Sequence, residues 1–335
     1  MKILFVGGTG LISSACSELA VKRGHELFIL NRSASTKHPL ADGAILLKGD
    51  VHAAETDLAS LLADQHFDVV VDWIAYTVED IERDIRLFLD KTKQFVFISS
   101  ASAYQKPPRH YVITEETPLE NPFWRYSQDK IACEKRLMHE YQKNGFPVTM
   151  IRPSLTYGPS QVPLIGASWS HPYTVIDRMK RGQKVIVPGD GTSLWVLTWN
   201  EDFAKGLVGL LGNERAIGEA FQITSDEVLS WDQIFLEVYQ ALGAEPKAVH
   251  ISSDLIVAHD PDQLGSFLGD KIHSAVFDNS KIKRFVPDFL CEVNWAQGLR
   301  RSLTWFEAHP EFQTIDPEMN SKWDRILSAF ERSLP

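Results

Sequence analysis

Along the first half of the chain, short apolar runs alternate with longer stretches in which apolar positions recur every three or four residues. Lys2–Val6, Glu26–Leu30, Ala44–Leu47, Val69–Val71, Phe95–Ser99 and Val148–Ile151 read as strands. Most are nearly continuous in Val, Ile, Leu and Phe, the pattern of strands covered by helices on both faces. Between them lie helical patterns at Leu11–Arg23, Leu58–Ala63, Glu79–Leu89 and Tyr126–Lys143. Such alternation requires right-handed crossovers and predicts an α/β fold on a Rossmann-type doubly wound parallel sheet.

After Tyr157-Gly158-Pro159 the rhythm changes. Residues 160 to 200 are rich in Pro, Gly and Trp, with a turn at Pro188-Gly189-Asp190-Gly191. Asn200-Glu201-Asp202 reads as a helix start, its carboxylates suited to the positive end of the helix dipole. Ala220–Thr224 returns a strand to the sheet, and a last helical pattern, Trp295–Ala308, is stopped by Pro310. The expected organisation is a dinucleotide-binding domain over 1–160, rejoined by 200–225. A smaller C-terminal substrate-binding cap lobe would comprise 161–199 and 226–335.

Composition narrows the function. With 335 residues, 44% of them hydrophobic, the chain can bury an ordinary core, and its net charge of −10 repels a phosphate backbone. Nucleic acid is therefore not an expected partner. No apolar stretch approaches the roughly 20 residues that span a bilayer, and the run Ile3–Val6 is too short for a signal-peptide core. Cys16, Cys133 and Cys291 are scattered, with neither a disulfide framework nor metal spacing. A cytoplasmic protein with reduced thiols, no metal and no membrane partner is expected.

Gly7-Gly8-Thr9-Gly10-Leu11-Ile12-Ser13 sits where the first strand gives way to the first helix. Gly7 permits a tight turn, and Gly10 lets the backbone approach a pyrophosphate at the helix N-terminus, with the small Ser13 in place of a third glycine. At the end of the second strand a carboxylate would hold the ribose of NAD; here Asn31-Arg32-Ser33 stands instead. An Arg fork beside a hydroxyl suits the 2′-phosphate of NADP, whereas Asn31 alone would hold NAD weakly. The cofactor expected is NAD(P), with the balance toward NADP. Asp50, before Val51, is placed to accept from the adenine amino group.

Tyr126 and Lys130 lie one helical turn apart on one face. They follow a strand ending Ile98-Ser99-Ser100, which presents Ser100 at the carboxyl edge of the sheet, where open α/β folds bind ligands. A free phenol has a pKa of about 10, too high for a good base at neutral pH. The Lys130 ammonium and a cationic nicotinamide ring would lower it, while Ser100 fixes the substrate oxygen.

Together, Gly7-x-x-Gly10, Asp50-Val51, Ser100, Tyr126-x-x-x-Lys130, Arg152-Pro153 and Tyr157-Gly158-Pro159 resemble the extended short-chain dehydrogenase/reductases, specifically the NAD-dependent epimerase/dehydratase family. That resemblance implies catalytic Ser100, Tyr126 and Lys130, with Lys130 also holding the nicotinamide ribose. It implies a cofactor cleft formed by Gly7, Thr9, Gly10, Leu11 and Ile12, by Asn31, Arg32, Asp50 and Val51, and by Ala75 and Pro153. It further implies a sugar or nucleotide-sugar substrate, touched by Tyr76, Ser102 and Trp195, and a homodimer through the helix bearing Tyr126.

Three positions depart from the family pattern. Ala101-Ser102 stand where dehydratases carry Asp-Glu, so dehydration lacks its acid and base. Trp195 replaces an Arg that grips the substrate pyrophosphate; an indole either stacks on a ring or fills the cap core. Asp72 and Tyr76 alter the end of the fourth strand, where Asp72 either reshapes the site or caps a turn. The chemistry expected is hydride transfer at a sugar hydroxyl, as an epimerase or a dehydrogenase/reductase. The alternative is a non-catalytic binding protein on the same fold, either RNA-binding, like the chloroplast stem-loop binding proteins, or NADP-sensing.

Overall fold

The computed structural model describes residues 1–32, 37–52, 55–63 and 65–333. Seven parallel strands form the central sheet: β1 (Lys2–Val6), β2 (Glu26–Asn31), β3 (Ile45–Lys48), β4 (Phe67–Asp72), β5 (Thr92–Ile98), β6 (Val148–Pro153) and β7 (Ala220–Ile223). Their spatial order is β7-β6-β5-β4-β1-β2-β3, so the chain reverses direction between β1 and β4 and leaves a crevice at their carboxyl ends. Val6 stands level with Asp72 and Leu30 in adjacent strands, which aligns the three loops that follow.

Both faces of the sheet are buried. In β1, Ile3 and Phe5 join the core beneath α1 (Leu11–Lys22), whereas Leu4 and Val6 join the opposite core. That opposite core is covered by α2 (Glu55–Leu61), α3 (Val78–Phe88) and α4 (Arg125–Asn144). On the first face α1 packs along α5 (Asn200–Leu210). The double burial explains the continuous apolar runs in the sequence. Edge strand β3 is the exception, with Ile45 43% and Leu46 37% exposed.

A third core, rich in aromatic residues, gathers Tyr157, Trp195, Trp199, Trp231 and Trp295 with Tyr104 and Ile113. Its strands are two to four residues long and pair across great sequence distances, as where Val185–Pro188 runs parallel to Ala248–Ile251. Helices α6 (Trp231–Leu242), α7 (Trp295–Ala308) and α8 (Pro317–Ser333) enclose this core. Asn200 ties the two parts together: its side-chain NH2 donates to the Leu11 carbonyl at 2.8 Å, at the very start of α1.

Candidate active site

A cleft of about 770 Å³ runs along the carboxyl ends of β1, β2, β4 and β5. One end is formed by the β1–α1 turn. Gly7 and Gly8 adopt φ of +84° and +130°, conformations in which any side chain is strained. A Cβ on Gly7 would lie 3.1 Å from Ile74, and the Gly8 carbonyl is pinned by the Ser17 hydroxyl at 3.1 Å. The turn thus holds the chain close against β4 while α1, with no acidic residue in its first turn, points its positive end into the cleft. Thr9, Gly10, Leu11, Ile12 and Ser13 complete this wall.

Two buried hydroxyls in the lining, Ser99 Oγ and Thr156 Oγ1, have no hydrogen-bond partner among the described residues. Strained glycines, a bare helix N-terminus and orphaned hydroxyls fit an elongated anionic dinucleotide. Asn31, Arg32, Asp50 and Val51 line the far end, joined by Lys37, His38 and His52, which the sequence did not single out. Asn31 turns inward, donating to Thr9 Oγ1 at 2.6 Å and accepting from the Arg32 amide at 2.8 Å, while Arg32 stays exposed. Ser33 lies outside the described residues.

At the other end stand Ser100, Tyr126 and Lys130, with Pro153 alongside. Tyr126 and Lys130 occupy the first two turns of α4, which Trp124 precedes and Gly145 ends in left-handed conformation. The Lys130 amine donates to the Ala75 and Ile98 carbonyls, both at 2.7 Å. Ala75, expected in the cofactor cleft, does not line it: the residue is 1% exposed and meets Lys130 through its carbonyl, while its neighbours Trp73, Ile74 and Tyr76 line the cleft. The amine lies 5.9 Å from the Tyr126 ring centre and 4.5 Å from that of Tyr76. The two aromatic rings are 6.3 Å apart.

In the protein alone, burial governs the phenol. Burial pushes Tyr126 up to about 12, opposed by the nearby Ser100 hydroxyl and reinforced by Tyr76 and Asp270. Burial also lowers Lys130 to about 8, against the pull of Cys133, Asp72, Asp80 and Glu134. Desolvation dominates because protein surrounds both groups on every side but the cleft, and the amine donates to carbonyls rather than to the phenol.

Ser100 belongs to a chain of hydroxyls. Its Oγ lies 2.9 Å from Ser102 Oγ, which accepts from Ser127 Oγ at 2.7 Å. Ser102, 4% exposed, lines an adjoining cavity of about 280 Å³ together with Ser100, Trp124, Tyr126, Trp169, Asp270 and Lys271. Trp195 does not reach either space. It is 2% exposed and stacked on Trp231 at 5.6 Å, so the expected substrate contact is corrected to a cap-core residue. A neutral indole gains more from apolar burial than from facing an aqueous cleft.

Asp72 caps the turn after β4, accepting from the Ile74 and Ala75 amides at 2.6 and 2.7 Å. Cys133 is buried, its thiol pushed up to about 12 by desolvation, and His273 is held by the Leu268 carbonyl at 3.0 Å. Trp169, 58% exposed at the lip of both cavities, had no signal beyond its Trp-rich segment. Among the described residues no group of three or more His, Cys, Asp or Glu is placed to hold a metal ion. Nor is any helix long and apolar enough to cross a membrane.

Residues 3–224 match the family model described as the NAD dependent epimerase/dehydratase family. Arabidopsis thaliana chloroplast stem-loop binding protein of 41 kDa b is 30% identical over 262 residues, 74% of this chain; the match spans 65% of that protein's length. The UDP-N-acetyl-alpha-D-glucosaminuronate decarboxylase of Bacillus cytotoxicus is 25% identical, covering 91% of this chain and 97% of its own. Among solved structures, the UDP-glucuronic acid 4-epimerase from Bacillus cereus, in complex with UDP-glucuronic acid and NAD, superimposes with a TM-score of 0.73. It is 19% identical and covers 92% of this chain and 99% of its own, a likeness of fold.

Proposed function

The chain belongs to the NAD-dependent epimerase/dehydratase family, and from that premise we propose that it oxidises a carbinol of a nucleotide sugar, as an epimerase or a dehydrogenase/reductase. The observation that carries this reading is the convergence of Ser100, Tyr126 and Lys130 on one end of the cleft whose other end is walled by the β1–α1 glycine turn. The nucleotide-sugar class is supported by the names of the relatives, one acting on a UDP-sugar acid and spanning nearly the whole chain.

Bound in the cleft, a nicotinamide dinucleotide supplies the two-electron acceptor and, when oxidised, a positive charge. The chain's own residues handle the proton. Ser100 holds the carbinol oxygen, and Tyr126 takes its proton once added positive charge offsets the desolvation that now keeps the phenol neutral. Lys130 fixes the Ala75 and Ile98 backbone and adds its own charge to the ring. Ala101 and Ser102 supply no acid–base pair, which leaves elimination of water without a mechanism. Arg32, exposed at the ribose end with no carboxylate beside it on β2, supports acceptance of a 2′-phosphate. We further infer that the lobe around the third core covers the substrate, that the chain works in the cytoplasm and that it pairs as a homodimer through α4.

The similarity to a stem-loop binding protein favours one second reading, RNA recognition on the same fold. A direct assay separates the two. Purified protein with NAD or NADP is offered UDP-glucuronic acid and UDP-glucose, and product sugars are separated by chromatography. Turnover is expected, falling about a hundredfold or more in Tyr126→Phe. Parental turnover in that variant refutes the catalytic assignment. Absence of dinucleotide binding, joined to tight, steeply salt-dependent stem-loop RNA binding, transfers the case to the second reading.

A further inference from the structure

The cap brings to the reacting hydroxyls a charge arrangement that the chemistry above does not use. Phe267–Lys271 forms a π-helical turn, an irregularity concentrated at functional sites. It buries Asp270 and Lys271 to 8% and 7% exposure. The Lys271 amine lies 3.1 Å from one Asp270 oxygen; the other oxygen is 3.7 Å from the amine of Lys106, which is 3% exposed. Two ammonium groups about one carboxylate leave a surplus positive charge in a place where charge is costly. Burial lowers the Lys106 pKa, opposed by Asp270 and reinforced by Lys271.

The surplus faces a cavity. Lys106 sits behind, while Asp270 and Lys271 line the 280 Å³ space that holds Ser100, Ser102 and Tyr126. Lys271 also borders an adjoining space of about 230 Å³ with Trp124, Gln161, Gln263 and the exposed Asp262 on its far side. The register of the turn is fixed against the reacting loop, because the Asn121 side chain donates to the Gly269 carbonyl at 2.6 Å and the Ser102 carbonyl at 2.8 Å. Asp270 is shared between the two ammonium groups, so one carboxylate answers two cations, and of these Lys271 is the one that lines the cavity.

We propose that Lys271 holds an anionic oxygen group of the substrate, a carboxylate or a phosphate, next to the carbinol that Tyr126 serves. The proposal deepens the nucleotide-sugar reading and rests on it. The test is calorimetric titration of the NAD-loaded protein with UDP-glucuronic acid and UDP-glucose, which differ at the sugar by a carboxylate. The variants are Lys271→Met, which keeps the stem, and Lys271→Arg, which keeps the charge. A loss of about tenfold or more in Lys271→Met, restored in Lys271→Arg, is expected.

Loss confined to UDP-glucuronic acid assigns the carboxylate; equal loss for both ligands assigns the diphosphate. Unchanged affinities in a folded Lys271→Met overturn the proposal while leaving the nucleotide-sugar reading intact. If neither sugar nucleotide binds the parent protein, both fall together.

Discussion

At the scale of single residues, burial sets the terms on which the site works. The sequence placed Tyr126 and Lys130 one turn apart, and the structure keeps both at the cleft, yet desolvation moves their pKa values in the directions that favour neutral forms. Composition and spacing carry no information on how much protein lies over a side chain, so this reversal was not legible in the sequence. It has a measurable consequence. Lys130 loses its proton near pH 8 in the folded protein, against about 10.5 when unfolded. Between those values the unfolded chain binds more protons, so the stability contributed by this residue rises with pH. At about 1.4 kcal/mol per pH unit, wild type should gain about 2 kcal/mol over Lys130→Met between pH 7 and pH 9.5 in urea denaturation. A constant difference across that range would mean that the amine is not desolvated.

At the scale of elements, most of the sheet was readable and most of the cap was not. β1, α4 and α7 lie within a residue or two of the predicted spans because continuous apolar runs and long helical periodicity are local signals. The helix expected at Leu58–Ala63 begins instead at Glu55, since its polar first turn carries no periodic mark. The cap strands are too short to leave a pattern, and their partners lie tens of residues away. Lys271 was passed over for the same reason: only the π-helical turn aligns it with Ser102, and no sequence spacing encodes that. The β1–α1 turn is the converse, a local signal with a structural cost attached. Gly8→Ala would force a side chain to φ of +130° with its Cβ 3.2 Å from Ile29. The expected loss is about 1–3 kcal/mol of stability by urea titration, together with dinucleotide affinity lowered at least tenfold by calorimetry. Full retention of both would show that the turn does not approach the ligand.

At the scale of the whole molecule, two cores built around one sheet and a third in the cap meet along the cleft, so a ligand that spans the cleft ties the folded state together. Asn200, bonded to Leu11 from the start of α5, joins the glycine turn to the helix that packs along α1. A ligand that binds only the folded form adds stability as RT ln(1 + [L]/Kd), about 2.7 kcal/mol at a hundred times Kd. Thermal melts should therefore rise with either nicotinamide dinucleotide. The chain carries net charge −10, yet the ribose end of the cleft sets Arg32 and Lys37 against the one carboxylate of Asp50, so local rather than global charge governs there. The melt should rise further with NADP than with NAD at equal concentration, and Arg32→Ala should erase that difference while leaving the NAD response in place, because the guanidinium is exposed and holds up nothing else in the described residues around it. A larger response to NAD in the parent protein, unchanged in Arg32→Ala, would mean that the arginine does not read the ribose phosphate and that the absent carboxylate on β2 costs NAD little.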